Sequence, residues 1–143
     1  MDKKEVLIEV KDLKKYFQVG RNQTLKAVDG VNFKIYKGET LGIVGESGSG
    51  KSVTAYSIMQ ILAENGAITG GSVKYKGEDI TKWNKKKMAD FRGKCCSIIF
   101  QDPMTSLNPI ITIGKQIAET IRIHDRKISK KDAMARAVEL LDK

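Results

Sequence analysis

The sequence has no long run of apolar residues, little cysteine and no sign of a secretory leader at its start. No apolar run approaches the roughly 18 residues of a membrane-spanning helix, so we expect any link to a membrane to pass through a partner. The charged residues 2–5 lead into a short alternating pattern rather than an apolar core, which excludes a typical secretory signal. Cys95 and Cys96 are adjacent, which excludes an ordinary disulfide between them and a spaced metal site. These absences favour a cytoplasmic protein.

The chain has enough apolar residues to form a core. It has 143 residues, of which 41% are hydrophobic and 30% charged, as in an ordinary globular domain. The net charge is +9, but most basic residues are scattered lysines, with small clusters at 85–87 and 130–131. No aromatic residues alternate with them, as a face for single-stranded nucleic acid would require. We therefore expect solvated lysine faces, with some attraction to anionic lipid headgroups, and no nucleic-acid partner.

Two apolar patterns predict strands. Apolar residues alternate with polar ones at 6–10, 31–35 and 73–75, which is typical of half-buried strands. Residues 41–44 (Leu-Gly-Ile-Val) and 98–100 (Ile-Ile-Phe) are instead continuous apolar runs. Such runs are typical of strands that are buried on both faces of a parallel sheet.

Helical spacing predicts the remaining elements. The apolar sets are Ala55, Ile58, Met59 and Leu62; Ile113, Ile117 and Ile121; and Ala133, Ala137, Leu140 and Leu141. Ser129 with Asp132 resembles a capping box that opens the last helix. A short helix is predicted over 85–92, and Asn65-Gly66 with Gly70-Gly71 predicts a turn before the next strand. The whole pattern indicates a mixed α/β architecture.

Residues 45–52 form the strongest motif. They read Gly45-Glu46-Ser47-Gly48-Ser49-Gly50-Lys51-Ser52 and match G-x-x-x-x-G-K-[ST] between an apolar run and an amphipathic helix. The glycines let successive N–H groups point into one concavity, and the helix that follows adds its positive end. Lys51 supplies charge for the β- and γ-phosphates, and Ser52 can ligate Mg²⁺. The motif predicts nucleotide binding but does not distinguish ATPases, GTPases and small-molecule kinases.

A second motif points to one family. Residues 98–103 (Ile-Ile-Phe-Gln-Asp-Pro) resemble the glutamine loop of ABC ATPases. The extension 104–109 (Met-Thr-Ser-Leu-Asn-Pro) is similar to ATPase subunits of oligopeptide, dipeptide and nickel importers, and so are residues 25–30 and 38–44. The resemblance covers residues 6–141.

This resemblance implies a fold and a function. The fold would be α/β, a RecA-like P-loop nucleotide-binding core with an antiparallel β-subdomain in residues 1–103, followed by the start of a helical subdomain in 104–143. The chain would bind ATP and Mg²⁺ and power the uptake of peptides or a related solute. It would contact separate membrane subunits through residues 101–109, pair with a second ATPase subunit, and lie on the inner face of the cell membrane.

The resemblance also assigns residues. Lys51 and Gln101 would be catalytic, with Gln101 contacting Mg²⁺ and the attacking water, and Ser52 would be the other metal ligand. In this family an aromatic side chain near the end of the first strand stacks on adenine, and the spacing favours Phe17, with Tyr16 as the alternative.

The sequence departs from the family pattern after Gln101. It contains no signature Leu-Ser-Gly-Gly-Gln, no apolar strand ending in Asp-Glu and no switch histidine, since His124 precedes where a signature would lie. We expect His124 to be a surface residue at a helix end. We also expect the chain to be the N-terminal part of a longer ATPase, able to bind Mg-ATP but not to hydrolyse it alone.

Two other functions fit the phosphate loop. A non-transport ABC-type ATPase that acts on nucleic acid or ribosomes is the main alternative, and the importer-like extension at 104–109 argues against it. A small-molecule kinase would need a lid with arginines and an acceptor pocket, and nothing at 101–109 suggests one.

Overall fold

A computed structural model describes residues 4–61, 66–102 and 106–142. The chain divides into two compact units, Met1–Cys96 and Ser97–Lys143. The predicted domain boundary between residues 103 and 104 lies outside the described residues and stays a prediction.

An antiparallel sheet dominates the first unit. Its strands are β1 (Val6–Gln18), β2 (Thr24–Tyr36), β3 (Gly66–Tyr75) and β4 (Glu78–Asp79). They lie in the order β2-β1-β3-β4, and each neighbouring pair is antiparallel. The alternating patterns at 6–10, 31–35 and 73–75 are therefore confirmed as strands, although the observed strands are longer.

A bulge in β1 changes which of its residues face the core. Asp12 has a φ of 48°, and the register with β2 shifts between Val10 and Leu13. Val10 is buried before the bulge, whereas Leu13 and Lys15 are buried after it. The inward positions thus change from even to odd numbers, because an extra residue in one strand displaces the alternation by one.

The bulge depends on Gly71 in the neighbouring strand. Gly71 has a φ of 80°, and a Cβ atom there would lie 2.1 Å from the carbonyl oxygen of Asp12. The predicted turn at Gly70-Gly71 is wrong, because both glycines lie inside β3. Gly71 allows the close approach of two backbones rather than a reversal of the chain. Asn65 lies outside the described residues.

In the described part of this unit, two helices and a short 3₁₀ turn accompany the sheet. They are α1 (Lys51–Met59), the 3₁₀ turn Ile80–Lys82 and α2 (Lys85–Lys94). The Asn84 side chain accepts a hydrogen bond of 2.9 Å from the backbone N–H of Lys87 and so caps α2, which confirms the helix predicted over 85–92. Phe91 of α2 meets the rings of Tyr75 and Trp83 edge-on.

The buried face of α1 differs from the predicted one. Ala55 is exposed and Ile58 only half-buried, while Thr54 and Ser57 are buried beside Met59. The two hydroxyl groups donate to carbonyl oxygens one turn earlier in the same helix, so they need no other acceptor when buried. Leu62, the last member of the predicted face, lies outside the described side chains.

The two predicted parallel strands, residues 41–44 and 98–100, are wrong. Neither segment forms a strand, and Val44 and Ile99 are 93% and 91% exposed. A strand in a parallel sheet takes its hydrogen bonds and its apolar cover from neighbouring elements. Among the described residues no strand pairs with either segment, so their hydrophobicity alone does not produce a strand.

The second unit contains a helix pair. The helices are α3 (Ile113–His124) and α4 (Lys130–Leu141). The backbone N–H of Asp132 donates to Ser129 Oγ (3.1 Å), and Ser129 Oγ donates to Asp132 Oδ2 (2.7 Å), which confirms the predicted cap. His124 is the exposed last residue of α3, as predicted.

Small side chains form the contact between α3 and α4. Ala118, Ala133 and Ala137 are buried, and Ile117, Ile121 and Ile128 pack against them. Ile113, Leu140 and Leu141 are exposed, so the predicted helix faces are confirmed only in part.

Candidate functional site

The phosphate loop, residues 45–52, runs into the first turn of α1. The loop is closed by a hydrogen bond of 3.2 Å from the backbone N–H of Ser49 to the carbonyl of Glu46. Gly50 has a φ of 89°, and its carbonyl accepts the first helical bond from Thr54 at 2.8 Å. The first N–H groups of a helix have no acceptor within it, so this end of α1 carries positive potential that suits an anion.

Gly50 also packs the loop against the sheet. A Cβ atom at this position would lie 2.4 Å from the carbonyl oxygen of Ala27 in β2. Backbone atoms cannot move aside as a flexible side chain can, so only glycine fits. The loop is thus held at a fixed place on β2, with its other side exposed to solvent.

The Lys51 side chain turns back across the loop. Its ammonium group donates to the carbonyl oxygens of Gly45 (2.9 Å) and Glu46 (2.6 Å), and lies 3.4 Å from Ser49 Oγ. The charge is therefore held inside the concavity of the loop. Ser52 follows at the start of α1 with an exposed side chain. A magnesium ion that arrives with a nucleotide takes most of its ligands from phosphate oxygens and water, so one protein hydroxyl fits that donor set.

A cavity of about 420 Å³ joins the loop to the end of β1. It is lined by Phe17, residues 25–27 and residues 48–53. Its volume lies within the usual range for small-molecule sites. The structure thus brings Phe17 together with the phosphate loop, while stacking of its ring on adenine stays a prediction. Residues 25–27 and Val53 were not predicted as site residues. Pairing of Leu25 with Phe17 across β1 and β2 places residues 25–27 there, and the first turn of α1 places Val53 there.

Tyr16 faces different surroundings and does not line this cavity. Its hydroxyl donates a hydrogen bond of 2.6 Å to Asp29 Oδ1. That bond raises the pKa of Tyr16 and lowers the pKa of Asp29. Lys26 Nζ lies 5.4 Å from the centre of the Tyr16 ring. The bulge at Asp12 accounts for Phe17 rather than Tyr16 lining the cavity, because after the bulge the odd-numbered residues of β1 take the inward positions. Which of the two rings stacks on adenine stays a prediction.

Lys15 is a residue of this region that the sequence did not single out. Its side chain is fully buried, and Nζ lies 4.7 Å from the centre of the Phe17 ring. Within the described part of the chain Nζ has no hydrogen-bond acceptor, and burial lowers the pKa of Lys15. Its two-residue spacing from Leu13 and Phe17 indicated that the three residues share one face of a strand. That this face is the inward one depends on the bulge, which is not visible in the sequence.

The far end of α1 is tied to two other elements. Gln60 adopts a φ of 49° and ends the helix, and its side-chain N–H donates to the carbonyl of Ile80 at 2.6 Å. Arg92 Nη1 in α2 donates to the carbonyl of Met59 at 3.0 Å. The Arg92 bond satisfies a carbonyl group that the end of α1 leaves open, and the Gln60 bond ties the same end to the 3₁₀ turn.

Gln101 belongs to the second unit, where its side chain is exposed. Its contact with Mg²⁺ and its catalytic role stay predictions. In the segment predicted to meet membrane subunits, residues 103–105 lie outside the described ranges. Asn108 is fixed to α3, because its N–H donates to Gln116 Oε1 and its carbonyl accepts from Gln116 Nε2, both at 3.0 Å.

The described residues contain no group of three or more His, Cys, Asp and Glu side chains arranged to hold a metal. Within the same residues, no helix has the length and apolarity needed to cross a membrane.

Comparison with known proteins identifies the family. Residues 28–143 match the family model described as ABC transporter. The chain is 46% identical over 140 residues to the probable peptide ABC transporter ATP-binding protein y4tR of Sinorhizobium fredii, covering 97% of this chain and 41% of that protein. It is 50% identical over 137 residues to the oligopeptide transport ATP-binding protein OppD of Bacillus subtilis, covering 95% and 38%.

The fold agrees with this relationship. The solved dimeric structure of MJ0796, a bacterial ABC transporter cassette, matches with a TM-score of 0.80 and 25% identity, covering 95% of this chain and 56% of that one. The chain thus spans about two fifths of the length of the curated relatives named here. With a family model that matches most of its length and a cassette fold, the chain belongs to the ABC transporter family.

Proposed function

We propose that the chain binds Mg-ATP at residues 45–52, as part of the ATP-binding subunit of a peptide importer. The single observation that supports the binding site best is the cavity that Phe17 shares with the phosphate loop. One end offers backbone N–H groups, the Lys51 charge and the Ser52 hydroxyl, which suit phosphates and their metal ion. The other end offers a flat apolar ring, which suits a purine base.

The transport role rests on the relatives. The names of y4tR and OppD assign them to peptide and oligopeptide transport. We extend that role to this chain, with membrane subunits contacting residues 101–109. The solved MJ0796 cassette is dimeric, which supports a second ATPase subunit as a further partner. ATP hydrolysis coupled to uptake is proposed for the whole protein, on the inner face of the cell membrane.

Substitution of Lys51 tests the binding site. Lys51→Ala removes the charge inside the loop and should weaken Mg-ATP at least about tenfold, since charge-assisted bonds to phosphate are lost. Lys37→Ala is the matched control, because Lys37 is an exposed lysine in the turn after β2. Calorimetric titration measures both. Equal affinities of the two variants would show that residues 45–52 do not bind the triphosphate.

The base-binding end needs a separate comparison with inorganic triphosphate, which has no base. Phe17→Ala should weaken ATP by about 1–2 kcal/mol and leave inorganic triphosphate nearly unchanged, as expected for a lost stacking platform. A larger adenine-specific loss in Tyr16→Ala would show that the other ring contacts the base.

Uptake in cells tests the transport role. Disruption of the coding sequence that contains this chain should abolish uptake of labelled short peptides. An intact copy should restore uptake, and a copy with Lys51→Ala should not. Unchanged peptide uptake after disruption would refute the proposed solute while leaving nucleotide binding open to the titrations above.

A further inference from the structure

Lys15 is the one charged side chain of the described core with neither a counter-ion nor a hydrogen-bond acceptor among the described residues. A buried ammonium group without a partner is costly, and core positions of strands usually hold apolar residues. Lys15 Nζ lies over the Phe17 ring, 4.7 Å from its centre. A cation within about 6 Å of a ring centre is attracted by the electrons of the ring face, and more strongly where water is excluded.

The Phe17 ring therefore contacts two different environments, the buried ammonium group of Lys15 and the cavity beside the phosphate loop. One part of the ring meets the buried Lys15 ammonium, and the ring also lines the cavity beside the phosphate loop. The remainder of the β1 end is fixed by pairing on both sides, with Lys15 opposite Val28 in β2 and Ile68 in β3. The ammonium group is thus held in place by the sheet and can act on the ring rather than on solvent.

We propose that Lys15 is a positioning residue for nucleotide-base recognition, which holds the Phe17 ring from below so that its other face can stack on a purine. The inference rests on the proposed ATP site and deepens it. A cation on one face draws electron density away from the other, and an electron-rich purine stacks better on such a ring. The cation also fixes the orientation of the ring, so less side-chain freedom is lost when the base arrives.

A charge-removing substitution separates this role from a purely structural one. Lys15→Met keeps a long flexible side chain that suits an apolar core, so the sheet should still form. Lys14→Met is the matched control, since Lys14 is the adjacent residue on β1, partly exposed and paired with Asp12 at 3.2 Å. Calorimetry on the 143-residue chain would measure the affinities of Mg-ATP and of inorganic triphosphate for both variants.

The expected result is a loss specific to the base. Lys15→Met should weaken Mg-ATP about three- to tenfold while inorganic triphosphate changes by less than about twofold. Lys14→Met should leave both affinities unchanged. In a Phe17→Ala background, Lys15→Met should have no further effect on ATP, because the ring through which Lys15 acts is gone.

Other results would overturn the proposal. Equal losses for ATP and inorganic triphosphate would mean that Lys15 acts on the phosphates or on the fold, and no loss for either would mean that it has no role in recognition. Adenine selectivity is the ratio of the affinity for ATP to that for inorganic triphosphate. If Phe17→Ala loses this selectivity while Lys15→Met keeps it, the role of Lys15 is refuted and the proposed ATP site is not. If the unchanged chain does not bind ATP, the proposed function fails first. Should Lys15→Met not fold, Lys15→Arg must keep the selectivity and Lys15→Gln must lose it.

Discussion

The strands of the antiparallel sheet alternate apolar with polar residues, whereas residues 41–44 and 98–100 are continuous apolar runs, yet only the sheet forms strands. β1 pairs with β2, which follows after five intervening residues, and with β3 on its other side. Its backbone hydrogen-bonding groups are therefore satisfied and its apolar face is covered within one unit. Residues 41–44 and 98–100 have no paired strand in the described ranges. The difference teaches that an apolar run predicts a strand only where the chain also supplies its neighbours.

The largest effect on the sheet is expected from a substitution at the bulge in β1. Gly71→Ala would place a Cβ atom 2.1 Å from the carbonyl oxygen of Asp12, and we expect it to destabilise the sheet by more than about 4 kcal/mol. Gly77→Ala is the control, because Gly77 shares a positive φ but has open space around it, and should cost about 1–2 kcal/mol. Urea unfolding followed by circular dichroism measures both. Similar midpoints would mean that strain, not the approach of the two strands, limits position 71.

Substitution of one leucine in the sheet and one in residues 41–44 compares the two regions directly. Leu13 is fully buried in β1, whereas Leu41 is 42% exposed in residues 41–44. Leu13→Ala should lower the free energy of unfolding by about 3 kcal/mol. Leu41→Ala should change it by less than about 1 kcal/mol. A loss at Leu41 as large as that at Leu13 would contradict the exposed position of residues 41–44.

The smallest effect is expected in the helix pair. Ser129→Ala removes the cap of α4 and should destabilise that helix by about 1 kcal/mol. Hydrogen exchange should show faster exchange at the first amides of α4, with the amides of β1 as an internal reference. Ser129→Asp should keep slow exchange, since aspartate can accept the same bond. Unchanged exchange in Ser129→Ala would mean that packing of Ala133 and Ala137 alone holds the start of α4.

Local motifs were the most predictable part of the molecule. The phosphate loop could be placed because its glycines and Lys51 act through local backbone geometry, and the cap at Ser129 because it needs only residues three positions apart. Strand existence in the sheet followed from alternation. The choice between Phe17 and Tyr16 came from family spacing, and the structure places Phe17 in the cavity.

The remaining features depend on contacts between distant residues. The shift of inward positions in β1 arises from a bulge opposite Gly71, about sixty residues away in sequence, and alternation cannot reveal it. The burial of Lys15 follows from that shift. On α1, hydroxyl groups that bond their own helix replace the expected apolar face, because Thr54 and Ser57 can be buried without outside partners.

The length of α1 makes the phosphate site dependent on a distant side chain. Nine residues are too few for a helix to persist in water by itself, so α1 would unwind from whichever end is not held. Arg92 and the side chain of Gln60 hold the end opposite the loop, roughly 13 Å along the helix axis. Unwinding that began at that end would extend toward Gly50. It would disrupt the arrangement of backbone N–H groups that is proposed to bind phosphate. The guanidinium group of Arg92 thus stabilises the conformation of the loop indirectly, although it lies at the other end of the helix.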